Sequence, residues 1–130
     1  MAKWLRVLFP VHAVIALVLG APLLLAPGRF LGWVGWAPVD PLLTRLLGAA
    51  LLALAWSSFR GWRAKEWSQV AILVEAEALF AVLSCAGLLR HLLRAHYTLL
   101  VWGPCALLFV FALAWMVALL LHARGNRGGR

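Results

Sequence analysis

Four apolar runs constrain the chain more than anything else in it: Trp4 to Leu25, Leu42 to Phe59, Val70 to Leu89 and Thr98 to Leu121. Each approaches or exceeds the roughly 17 to 25 residues with which a helix, rising about 1.5 Å per residue, crosses a hydrocarbon layer of about 30 Å. Strands are excluded because the runs are rich in Ala and Leu, lack polar alternation, and outrun the roughly 9 to 11 residues of a barrel strand. With 65% hydrophobic and only 12% charged residues, against about 25% charged in soluble domains, the composition excludes an ordinary soluble globule. The expected fold is all-α: a polytopic membrane protein with four transmembrane helices in an antiparallel bundle. Residues 1–122 form its single domain, with spans at 4–25, 42–59, 70–89 and 98–121. A basic, glycine-rich tail at 123–130 reads as disordered.

The formal charge of +8 does not indicate nucleic acid, since the basic residues lie between and beyond the apolar runs. Topology accounts for them. With both termini cytoplasmic, the inner side holds Lys3, Arg6, Arg60, Arg63, Lys65, Arg124, Arg127 and Arg130, against Arg29, Arg45, Arg90 and Arg94 on the outer side. This agrees with the positive-inside rule. Arginine outnumbers lysine, and with abundant Ala, Gly and Leu this hints at a GC-rich bacterial genome; together with the spans, the expected location is the bacterial inner membrane. The start "MAKWLRVLFPVHAVIALVLGA" has the look of a signal peptide, but its apolar run continues to Leu25 and Pro22 and Pro27 crowd the small residues. A retained first span is expected.

The segment "APGRFLGWVGWAPVDP" carries prolines and glycines that break a continuous helix. A short structure on the outer face is expected there, with Phe30, Trp33 and Trp36 at headgroup level. Asp40 before Pro41 is a helix-start signal, the carboxylate accepting free backbone N–H groups. The short basic connection "RGWRAKEW" predicts a tight hairpin of the second and third spans, and "RHLLRAHY" the same for the third and fourth. Gly103 and Pro104 mark a place where the fourth span can kink.

The feature closest to chemistry is "VEAEALF", which sets Glu75 and Glu77 inside the third span. A charged carboxylate at mid-membrane costs about 2.5 to 3.5 kcal/mol on insertion scales, so each must be neutralised, paired or hydrated. Counting from Trp67 places Glu75 about 12 Å and Glu77 about 15 Å above the inner boundary, and two residues of helix turn them about 200° apart. They cannot form a dyad on one face. His12 lies about 9 Å above Arg6, close to the depth of Glu75, while Arg45 leaves roughly 8 Å of height to Glu77. The expected pairs are therefore Glu75 with His12 and Glu77 with Arg45.

Cys85 and Cys105 share the outer halves of the last two spans. A disulfide between them is conceivable, but without a C-x-x-C spacing two free, buried thiols are favoured. His91, His96 and His122 sit at helix ends and read as interfacial. No metal-ligand cluster, cofactor motif, phosphate-cradling loop or nucleophile-base arrangement is visible. Gly48, Ala49, Ala53 and Ala55 in the second span allow close helix approach, in a bundle or in a homodimer.

"LLLAPGRFLGWVGW" followed by "DPLLTRLLGAALLALA" resembles the first half of small uncharacterised four-span bacterial membrane proteins, over about Leu23 to Leu54. The resemblance implies a four-helix inner-membrane fold and brings no activity with it. By size the chain also looks like small multidrug-resistance transporters, but their membrane glutamate lies in the first helix, where this chain has His12. The leading functional expectation is a non-enzymatic membrane accessory or assembly protein binding another membrane protein or lipid. Second stands a proton-coupled transporter, a homodimer using Glu75 or Glu77, and third a membrane enzyme with a Glu75/His12 acid-base pair.

Overall fold

The computed structural model describes residues 3–36, 40–94, 97 and 99–127. The described chain is helical without strands: α1 Leu5–Leu25, α2 Pro27–Val34, α3 Pro41–Arg63, a 3₁₀ turn Trp67–Gln69, α4 Ala71–Leu92 and α5 Leu99–Arg127. Four of these, α1, α3, α4 and α5, are long and apolar enough to cross a membrane. They match the four expected spans, with ends that differ for local reasons. α3 runs on to Arg63 because Arg60 and Arg63 fall in its last turn, where cations oppose the negative end of the helix dipole. α5 likewise runs on to Arg127, so the tail expected to be disordered begins as helix; residues 128–130 lie outside the described part. α5 also continues through Pro104, which sits early enough to remove only a first-turns hydrogen bond.

Within the proline-rich segment, Pro27–Val34 is a helix with defined ends; residues 37–39 lie outside the described part. Ala26 leaves helical geometry, Pro27 occupies the first position of α2, and Gly35 closes it with φ 74. The Gly35 N–H donates to Gly32 O at 3.2 Å and the Trp36 N–H to Leu31 O at 2.9 Å, the paired bonds of a Schellman cap, for which glycine is the residue without steric cost. Trp33 is exposed, whereas Trp36 packs against the cluster of Leu92, Val101 and Cys105 and so joins α2 to the ends of α4 and α5.

α3 starts as its sequence predicts. Asp40 Oδ1 accepts from the Leu42 and Leu43 N–H groups at 2.8 and 3.1 Å, and Pro41 follows at the first helical position. Asp40→Ala is expected to lower stability by about 1 kcal/mol, the usual worth of such a cap, measured as the shift in thermal unfolding of the detergent-solubilised protein.

Packing departs from the hairpin expected for the second and third spans. α1 lies along α3, and α4 along α5, while α3 and α4 touch only briefly. The connection explains this. Ala64 and Glu66 are extended and the 3₁₀ turn follows, held by Glu66 and Gln69 as reciprocal caps. This carries the chain away from α3, so that Val70 and Val74 bury against Leu5, Phe9 and Trp115. The pairing expected for the third and fourth spans is present as α4 with α5.

Between α1 and α3 the backbones themselves meet. A Cβ on Gly48 would stand 2.6 Å from Leu24 N and 2.9 Å from Gly20 O, and one on Gly20 would stand 3.0 Å from Gly48 O. Small residues at a membrane-helix crossing permit this approach and the dispersion contact that comes with it. One turn from the end of α3, Gly61 receives the Phe9 ring, whose atoms lie 2.5 to 2.9 Å from where a Cβ would be.

Candidate functional site

Polar groups converge where the α1/α3 pair faces the α4/α5 pair. Glu77 of α4 is 2% exposed. Its Oε1 accepts from the hydroxyls of Ser57 at 2.6 Å and Ser58 at 2.7 Å, both on α3, and its Oε2 lies 3.4 Å from His12 Nδ1 of α1. His12 Nδ1 is also 2.8 Å from Ser58 Oγ. With Ser58 donating to a carboxylate, Nδ1 is the donor in that contact, and with the proton on Glu77 the order can reverse. A hydrogen-bonded path joins His12 Nδ1, Ser58 Oγ and Glu77 Oε1.

Aromatic rings close the site on the α5 side. The His12 ring stands edge-on to Phe111 at 4.5 Å between centroids and to Trp115 at 5.7 Å, and Phe9 packs on Trp115 at 5.1 Å. Phe9 and Trp115 are fully buried. The cluster is thus a set of one carboxyl, one imidazole and two hydroxyls, closed by aromatic rings on the α5 side and part-buried at Ser57. Carboxylate with imidazolium, or carboxyl with imidazole, gives the same net charge of zero, so the group can be buried as a neutral unit wherever the proton sits.

These contacts overturn the expected pairing. His12 meets Glu77 rather than Glu75, and Arg45 is exposed without an ion pair among the described residues. Counting height alone matches His12 with Glu75; the rotation of α4 turns Glu77 to it instead. Glu75 falls on the outside of the helix, in line with Ile72, Leu79 and Leu83, which are themselves strongly exposed. A Glu75/His12 acid-base pair is accordingly absent. Ser57 and Ser58 were not singled out in the sequence, although two adjacent hydroxyls within an apolar span are a pairing signal.

The remaining candidates are placed as follows. Cys85 and Cys105 are free thiols brought together by α4 and α5, with Cys85 Sγ donating to the Cys105 carbonyl at 3.8 Å. Tyr97 Oη and His91 Nε2 are 2.6 Å apart, and the His122 ring stacks on Trp67 at 4.4 Å; His96 lies outside the described residues. Among the described residues no group of three His, Cys, Asp or Glu could hold a metal ion.

Where α3 and α4 diverge, a crevice of about 840 Å³ opens, lined by Trp56, Ser57, Arg60, Arg63, Gln69 and Ile72 among others. Ser57 belongs both to this lining and to the Glu77 cluster. Comparison with protein-family models, with curated proteins and with solved structures finds no match. The chemistry of the site therefore rests on its own geometry.

Proposed function

We propose that this is a non-enzymatic accessory or assembly protein of the bacterial inner membrane. In this reading its four helices form an antiparallel bundle with both termini cytoplasmic, and it binds another membrane protein through the α4 face that carries Glu75. The supporting observation is the contrast between the two acids. Glu77 is enclosed by partners from its own chain, whereas Glu75 is exposed on a spanning helix among Ile72, Leu79 and Leu83. A carboxylate facing lipid at that depth costs about 2.5 to 3.5 kcal/mol on insertion scales. A partner helix offering a cation or a hydrogen-bond donor removes that cost. A second copy of this chain fits less well, because a two-fold contact along this face sets Glu75 against Glu75.

The test is photo-crosslinking in native membranes from a reactive residue placed at Leu79, compared with one at Val14 on the exposed face of α1. An adduct with a different membrane protein is expected from position 79, lost in Glu75→Leu and retained in Glu75→Gln. An adduct of twice the chain mass would replace the partner by a second copy, and adducts to lipid alone would overturn the reading.

One observation favours proton-coupled transport as a second reading: Ser57 links the crevice to Glu77. In that case Glu77 is the proton site and must be reachable. A hydrophobic carbodiimide, which modifies accessible protonated carboxyls, distinguishes the two. With the purified protein, modification mapped to Glu75 alone supports the accessory reading, and modification of Glu77 supports transport.

A further inference from the structure

We infer that the crevice between α3 and α4 is a binding site for one anionic phospholipid, with the phosphate on Arg60 and Arg63 and an acyl chain against Trp56 and Ile72. The inference does not rest on the partner proposed for Glu75, although Ile72 borders both surfaces; Glu75 itself does not line the crevice. The crevice exists because the extended connection at 64–66 and the 3₁₀ turn hold the start of α4 away from the end of α3. Its volume of about 840 Å³ falls within the roughly 300 to 1,000 Å³ of sites that enclose an organic ligand.

The lining is divided by chemistry. Arg60 and Arg63 are a turn apart at the end of α3, both exposed, and among the described residues neither is ion-paired. Of the four acids in the chain, none lines the crevice. Glu66, the acid nearest in sequence, is engaged in capping the 3₁₀ turn, Glu77 is enclosed in its own cluster, and Asp40 caps the opposite end of α3. Two guanidinium groups without an acidic partner, that of Arg63 standing over the Phe59 ring at 5.9 Å, carry donors that suit phosphate. Gln69, beside them, has its side-chain oxygen taken by the Lys65 N–H at 3.0 Å, which leaves its amide N–H₂ free to donate to the same anion.

The other half is apolar. Trp56 and Ile72 are exposed and Leu73 half-buried; Trp56 stands one turn before Arg60 on α3, and Ile72 and Leu73 lie in the first turn of α4. A ligand that satisfies both halves has an anion at one end and hydrocarbon at the other. Basic crevices between membrane helices near the cytoplasmic surface have this character. A soluble phosphate ester would use the arginines and leave the apolar wall bare.

Native mass spectrometry of the protein released from nanodiscs of mixed phosphatidylglycerol and phosphatidylcholine tests this. One phosphatidylglycerol is expected to be retained on the wild-type chain in preference to phosphatidylcholine. In R60Q/R63Q that retention should fall about 25-fold, a factor of about five for each cation near a membrane surface. R60K/R63K should recover most of it, and R90Q/R94Q, with the same loss of charge elsewhere, should not change it. Equal retention of the two lipids, or retention unaffected by R60Q/R63Q, would overturn the site. Displacement of the lipid by millimolar glycerol phosphate would assign the arginines to soluble phosphate esters and overturn the lipid.

Discussion

Glu77→Ala is expected to lower the stability of the detergent-solubilised protein by about 1 to 3 kcal/mol, the usual cost of leaving a buried donor without its acceptor. The substitution removes the acceptor of the Ser58 hydroxyl in a place that Phe9, Phe111 and Trp115 close off on one side, while Ser57 keeps the Leu54 carbonyl at 2.9 Å and His12 Nδ1 keeps Ser58 Oγ at 2.8 Å. Glu77→Gln should cost much less. Its amide oxygen can still accept from both serines, and only the contact at Oε2 is lost. The cluster should also show itself in a double-mutant cycle between His12→Phe and Glu77→Leu, monitored by thermal unfolding. Residues in one hydrogen-bonded network couple by roughly 0.5 to 3 kcal/mol. Additive single effects would mean that the two groups do not act as a unit.

Gly48→Leu should prevent α1 from seating on α3. Even the single carbon of Gly48→Ala would press on Leu24 N and Gly20 O, which are backbone atoms and cannot turn aside as a side chain does. Overpacking of this kind costs about 1 to 3 kcal/mol, and the branched side chain of leucine exceeds that range. The comparison is Gly87→Ala on α4, where an added Cβ meets nothing within 4 Å and the higher helix propensity of alanine should be neutral or raise stability by up to about 1 kcal/mol. Thermal unfolding of the two alanine variants side by side checks both signs. Equal responses would show that the α1/α3 crossing is looser than the Gly20 and Gly48 backbones indicate.

The sequence makes the spans legible because length and apolar content alone set them, and Asp40–Pro41 marks the start of α3 through chemistry confined to neighbouring residues. Depth along each helix can also be counted, and it matches His12 with Glu75, the wrong acid of the two. What cannot be counted is rotation. In a soluble helix the polar face reveals the outside, but α4 is apolar nearly all round, so hydrophobicity does not say which acid turns inward. Residue size does not settle it either. Small residues mark helix contacts in membranes, but Ala71 and Ala78 stand a turn from Glu75 while Leu73, Val74 and Phe80 stand a turn from Glu77. Only the packed structure shows that Glu77 is buried and that Ile72, Leu79 and Leu83 beside Glu75 are exposed. The departure of α4 from α3 likewise has no local signal, since it depends on where Val70 and Val74 find room against Phe9 and Trp115.

The division of the bundle into an α1/α3 pair and an α4/α5 pair bears on how the chain is made. Synthesis proceeds from the N-terminus and domains form in that order, so α1 and α3 can join across Gly20 and Gly48 before α4 leaves the ribosome. His12, Ser57 and Ser58 are then already side by side in the bilayer. When α4 packs against this pair, Glu77 meets hydrogen-bond donors that α3 already carries side by side.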